Sequence, residues 1–208
     1  MAAIKDAGHE GCFKIGIDPA SSEFFREGDY DLGFKSDTPG RLSSAGLTEL
    51  YRTLVEKYSI VLLEDPFAQD DWDSWRALHA VSKCSNVELV GDDLLGTNVT
   101  CIEKAAEADA CDSLLLKSLK LLERPNEPTN LAGQSLYPIG LETTDDFIAD
   151  LAVGIGCGHL KAGAPCRGER VVKYNRLMDN EGQLQARKID ISYAVESFRY
   201  AYTHDESR

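Results

Sequence analysis

IVLLED, the stretch from Ile60 to Asp65, decides how this chain is read. Four apolar residues run without a break into two carboxylates. An apolar run of this length is what a parallel strand covered on both faces looks like. The charge at its end gains nothing from a core, so it marks where the strand leaves one. Working outward, the same pattern recurs three times: KIGID (14–18) runs to Asp18, VELVGDD (87–93) to Asp92 and Asp93, and SLLLK (113–117) to Lys117. The C-terminal ends of parallel strands form the open face on which sites are built. Three carboxylates and an amine delivered there predict a divalent cation with a base beside it.

Helical patterns separate these runs. Leu47, Leu50, Tyr51, Leu54 and Val55 recur at helical spacing, and DDWDSWRALHAVS (70–82) and NVTCIEKAAEADA (98–110) predict two more helices. Alternating strand and helix predicts α/β architecture, mostly parallel strands and right-handed crossovers. AAIKDAG (2–8) reads as a helix end with Gly8 as its cap, and SSEFFREGDYDLGF (21–34) as a loop with a short hairpin. Past Lys117 order falters, because residues 119–140 carry three prolines and no helical stripe. It resumes with a helix whose Phe147, Leu151 and Ile155 share a face, a strand HLKAG (159–163) reaching Lys161, and a helix over 168–184. The tail, 186–208, mixes charge with aromatics. About six strand candidates result. A complete eight-stranded barrel of alternating strands and helices typically takes ~250 residues, so 208 residues predict a partial one.

Composition narrows the partners. With 22 basic against 35 acidic residues the net charge is −13, which repels phosphate backbones and anionic lipid. Neither nucleic acid nor membrane is expected as a partner, and no run approaches the ~20 apolar residues of a membrane span. The six cysteines form no CxxC pair and no ligand-like spacing with the four histidines. With a polar N-terminus lacking a signal segment, they predict reduced thiols and a cytoplasmic location.

Asp18, Glu64 and Asp92 end successive strands, and neighbours in a parallel sheet lie ~4.8 Å apart. Magnesium takes oxygen ligands and keeps some waters, so three such carboxylates suffice to hold it. As lone residues each would serve equally as a helix cap or a loop acceptor. Asp65 and Asp93 alternate to the opposite side of their strands and read as structural acids. Lys117 works as a base only if desolvation or a nearby cation lowers its pKa.

The motifs IGIDPASSEFF, LEDPFAQDDWDSW, LVGDDLLGTN, CDSLLLK, DDFIADLAVGIGCGHLKAGAPCRGERVVKYNRLM and AVESFRYAY, in this order from about Ala3 to Tyr200, resemble enolase, the phosphopyruvate hydratase. The resemblance implies the C-terminal barrel portion of that family, a partial TIM-type (β/α) barrel spanning 1–208, with 118–141 diverged and the family's small N-terminal domain absent. It implies magnesium-dependent interconversion of 2-phosphoglycerate and phosphoenolpyruvate. Asp18, Glu64 and Asp92 would hold the Mg2+, with Glu64 also facing a small phosphorylated carboxylate. Lys117 would remove the proton next to the substrate carboxylate, and Lys161 would bind substrate. Departures point the other way. Where the family has histidine, arginine and serine around the substrate phosphate, this chain has Pro138, Ile139 and Gly140. Proline and isoleucine cannot replace a bidentate guanidinium. The general acid and the closing loops belong to segments outside the resemblance. These departures imply an inactive paralogue or a truncated gene product that acts through partners. A strand edge left open by a partial barrel implies self-association or pairing with another enolase subunit.

Overall fold

The computed structural model describes residues 1–194 except 37, 39, 59, 86, 118–134 and 140–142, with backbone alone for 83–85 and 135–139. The chain divides into two compact units, Met1–Asp112 and Ser113–Arg208.

The first unit carries helix α1 (Ala2–Asp6), strand β1 (Ile15–Ile17), a 3-10 turn (Ser21–Phe24), and short strands β2 (Phe25–Arg26), β3 (Asp29–Asp31) and β4 (Arg41–Leu42). Then follow α2 (Ser44–Lys57), β5 (Ile60–Glu64), α3 (Trp72–Ser85), β6 (Glu88–Gly91) and α4 (Val99–Ala108). The apolar runs form the parallel strands they predict. β1 lies beside β5 with Gly16 opposite Leu62 and Ile17 opposite Leu63. β5 lies beside β6 with Leu63 opposite Leu89 and Glu64 opposite Val90. β6 is buried throughout, as a strand covered on both faces requires, whereas β1 has no buried residue and Val61 and Leu62 of β5 are half-buried.

The helices form where capping and periodicity agree. Ser43 Oγ accepts the Gly46 amide at 3.2 Å and starts α2, which turns Leu47 and Tyr51 inward. Asn98 Oδ1 accepts the Thr100 amide at 3.0 Å and starts α4, which buries Ile102 and Ala105. On α3, Trp75, Leu78 and His79 face the core, and the Trp75 indole donates to the Ala68 carbonyl at 3.1 Å. Buried His79 is placed by Nδ1 against the Asp109 carbonyl (2.7 Å) and by Nε2 against Asp112 Oδ1 (3.1 Å). Asp112 Oδ2 accepts the Leu89 amide at 2.8 Å, which ties α3 to β6.

The expected hairpin is present as β2 and β3, and β4 extends it into a small antiparallel sheet. Fully buried Tyr30 packs its ring near Phe24, Phe25 and Phe67. Its hydroxyl donates to Asp71 Oδ2 at 2.7 Å and accepts the Ala68 amide at 3.0 Å. Ser44 donates to the same carboxylate oxygen at 2.8 Å. Asp71 thus joins the small sheet, the start of α2 and the start of α3.

The second unit holds β7 (Ser113–Lys117), β8 (Ser135–Ile139), α5 (Phe147–Ile155) and α6 (Gly168–Ala186). β7 and β8 pair in parallel from Ser113–Ser135 to Lys117–Ile139. The periodicity gave no strand at 135–139, because Pro138 removes an amide and marks a run as edge or non-strand. Here Pro138 pairs opposite Leu116 in an edge strand, where one lost donor is tolerated. The predicted strand HLKAG is absent. Only Lys161 forms a single bridge, between Gly158 and Gly163, whose φ values of +74° and +76° break an extended run.

α5 forms over the predicted range but buries Ile148, Ala149 and Ala152, while Phe147 is exposed. Its sequence is apolar nearly all round, so periodicity alone does not choose the inner face. Arg176 on α6 donates twice to Asp150 on α5 (2.7 and 2.9 Å), and Asn180 adds a third bond (2.8 Å). Buried Lys173 donates to the carbonyls of Thr143 and Glu169. Among the described residues, three parallel strands in the first unit and two in the second fall short of the eight of a complete barrel. No described helix is long and apolar enough to cross a membrane.

Candidate functional site

Glu64 is the last residue of β5, Asp18 follows β1 and Asp92 follows β6. The register sets Ile17 beside Leu63 and Glu64 beside Val90, so all three acids leave at the same end of neighbouring strands. Their environments differ. Glu64 is buried, Asp92 half-buried and Asp18 exposed.

Glu64, Asp65 and Asp92 each offer a carboxylate oxygen within 4.8 Å of the others. Two of the three acids expected from the sequence therefore meet, and Asp65 joins them, while Asp18 lies outside the group. Strand alternation would turn Asp65 away from Glu64. That rule lapses because β5 ends at Glu64 and Asp65 turns left-handed, with φ +43°. Its carboxylate then reaches the turn after β6, where Oδ1 accepts the Asp92 amide at 3.0 Å and Oδ2 the Asp93 amide at 2.8 Å. Nothing in the sequence around Asp65 announces this turn.

Burial pushes the Asp65 carboxyl up to about 7. The Asp93 amide bond opposes that shift, the negative charge of Asp93 adds to it, and the Asp92 amide and charge act in the same two ways. Negative charges gathered this closely repel, and a cation between them relieves the repulsion. Glu64 and Asp92 fit an oxygen-seeking divalent ion, since only carboxylates make up the cluster and neither thiolate nor imidazole belongs to it.

Lys117 and Lys161 belong to the second unit. Lys117 is the half-buried last residue of β7, and Lys161 is the half-buried bridge residue. At the positions of the expected phosphate clamp, Pro138 and Ile139 lie in β8, whereas Gly140 falls outside the described residues, as does most of 118–141.

The family model described as enolase, C-terminal TIM barrel domain, matches residues 1–201 of the 208. Parallel strands alternating with helices, and acids leaving at one end of those strands, agree with that match. The chain belongs to the enolase C-terminal barrel family.

Proposed function

We propose that this chain binds a divalent cation, magnesium by preference, at Glu64 and Asp92, with Asp18 at the end of the neighbouring strand as the third acid the family resemblance implies, and serves enolase-type lyase chemistry on a small phosphorylated carboxylate. The interconversion of 2-phosphoglycerate and phosphoenolpyruvate is the reaction in question. The observation that carries the reading is the meeting of the Glu64 and Asp92 carboxylates at the ends of adjacent parallel strands. A cation bound there would stabilise the negative charge that builds on a substrate carboxylate as its neighbouring carbon loses a proton. Glu64, which is buried, and Asp92 would supply ligand oxygens to it. By the family resemblance, the proton-abstracting lysine corresponds to Lys117 and the substrate-binding lysine to Lys161. A cytoplasmic setting and self-association belong to the same reading. Light scattering across a dilution series tests the association, and a monomer at every concentration would remove it.

A second reading, a cation-binding chain without turnover, is favoured by the residues at 138–140. Neither Pro138 nor Ile139 carries a side-chain donor for a phosphate. Losing one preorganised donor costs about two to three orders of magnitude in rate. A coupled absorbance assay of 2-phosphoglycerate dehydration with magnesium decides between the two. Turnover within about a hundredfold of an ordinary enolase supports the lyase reading, and none above background supports the inactive one.

A further inference from the structure

We propose that Asp65 is a positioning residue. It fixes the backbone of the Asp92–Asp93 turn so that the Asp92 side chain meets Glu64, and it thereby tunes cation affinity without acting as a ligand. The inference rests on the cation-binding reading above and deepens it.

Four backbone-directed bonds converge on this one residue. Its amide donates to the Val90 carbonyl at 3.0 Å, and its carbonyl accepts the Ser21 amide at 3.1 Å. Its two carboxylate oxygens accept the Asp92 and Asp93 amides. The loop after β1 and the end of β6 are thus tied to the Asp65 backbone, and the turn after β6 to its side chain, in a residue that is 2% exposed. The following residue repeats the arrangement, since the Pro66 carbonyl accepts from Ser21 Oγ (2.9 Å) and from the Tyr51 hydroxyl (2.8 Å).

The residue type is the one the geometry needs. The left-handed backbone costs most side chains roughly 1–2 kcal/mol, and aspartate is among the few besides glycine that adopt it at times. Glycine would relieve that cost but would leave two amides without their acceptor. Asparagine tolerates the backbone but offers one acceptor oxygen where two are used. A longer acid reaches past the amides. Both oxygens serve N–H donors of the turn, so bracing is the role that the hydrogen bonds carry, and the binding measurement below separates it from ligation. Side chains that orient metal ligands in this way are worth about 10- to 100-fold in metal affinity.

Asp65→Asn is the test, read by amide exchange at Asp92 and Asp93 without added metal and by Mn2+ binding followed by electron paramagnetic resonance. The proposal expects faster exchange at those two amides, Mn2+ affinity about 10- to 100-fold weaker, and an unchanged number of bound ions. Asp65→Glu keeps the charge, cannot seat both oxygens on the same amides, and carries the same expectations if the asparagine variant does not fold. Unchanged exchange at Asp92 and Asp93 overturns the proposal. Complete loss of Mn2+ binding with unchanged exchange makes Asp65 a ligand and also overturns it. A lower melting midpoint with unaltered Mn2+ affinity reduces Asp65 to a structural residue and overturns it as well. If the unsubstituted chain binds no Mn2+, the cation reading falls and takes the affinity clause with it, while the exchange measurement still decides the bracing.

Discussion

Replacing Asp71 with alanine should destabilise the first unit by about 3 kcal/mol. The carboxylate accepts the Tyr30 hydroxyl at 2.7 Å and Ser44 Oγ at 2.8 Å, and it reaches the Ser74 amide at 3.4 Å at the start of α3. Hydrogen bonds to a charged group contribute roughly 1.5–3 kcal/mol each, and a helix-capping bond about 1 kcal/mol. Those figures overlap, because the three donors share one side chain, so the sum is discounted to about 3 kcal/mol. The Tyr30 hydroxyl keeps the Ala68 amide as its donor but loses its acceptor, and it sits on a fully buried residue. At about 2–4 °C per kcal/mol for a chain of this size, the midpoint should fall by about 6–12 °C. Both tryptophans, Trp72 and Trp75, lie on α3, so fluorescence during urea or thermal unfolding follows the helix that Asp71 starts. Tyr30→Phe alone should cost less, and Asp71→Ala with Tyr30→Phe should fall short of the sum of the single effects by 0.5 kcal/mol or more, in the ~0.5–3 kcal/mol range of contacting pairs. An Asp71→Ala chain within 1 kcal/mol of the parent, or additivity in the cycle, would refute the claim that this carboxylate joins the small sheet to α2 and α3.

Other consequences are quicker to check. Brief alkylation followed by mass spectrometry should label exposed Cys12 and Cys166 ahead of buried Cys111 and Cys157. Burial raises the Cys157 thiol above its ordinary pKa, partly offset by its bond to the His159 carbonyl, so labelling there should stay slow even at pH 8. Asp150 is held below the usual carboxylate range, first by its bond to Arg176 and then by Asn180. A lowered folded pKa means a contribution that is complete above about pH 4 and lost as pH falls through the folded value. The stability gap between the parent and Asp150→Asn should accordingly shrink on acidification through that range, and a gap independent of pH would contradict the pairing. In Gly33→Ala the new methyl would stand 2.0 Å from the Thr38 carbonyl oxygen, so a circular-dichroism melt of that variant should start earlier than the parent's.

The strands and helices of the first unit were legible because local and global signals agree there. IVLLED is short, apolar and sharply ended, and it forms a strand with Ile60, Leu63 and Glu64 buried. Ser43 and Asn98 stand where their helices begin. HLKAG misled because an apolar residue beside Lys161 looks extended, while Gly158 and Gly163 turn the chain on either side of it. Ser135–Ile139 stayed hidden because Pro138 argues against a strand and only pairing with β7 overrides it. The α5 face was ambiguous because a helix apolar on most sides gives periodicity little to grip. At the site, Glu64 and Asp92 followed from their strand ends. The inclusion of Asp65 did not, since a single left-handed residue reverses the direction that alternation assigns. Such a turn is set by bonds from Ser21, Val90, Asp92 and Asp93, which are distant in sequence, and no local pattern encodes it.

The central claim is that Glu64 and Asp92 together hold a divalent cation, and a magnesium titration followed by thermal melting tests it most directly. A ligand that binds only the folded chain stabilises it by about 2.7 kcal/mol at a hundred times its Kd, which raises the midpoint by about 5–10 °C. The parent should show that rise, and Asp92→Ala and Glu64→Gln should lose it while still melting cooperatively without metal. An equal rise in the parent and in both variants would place the ion elsewhere and contradict the account.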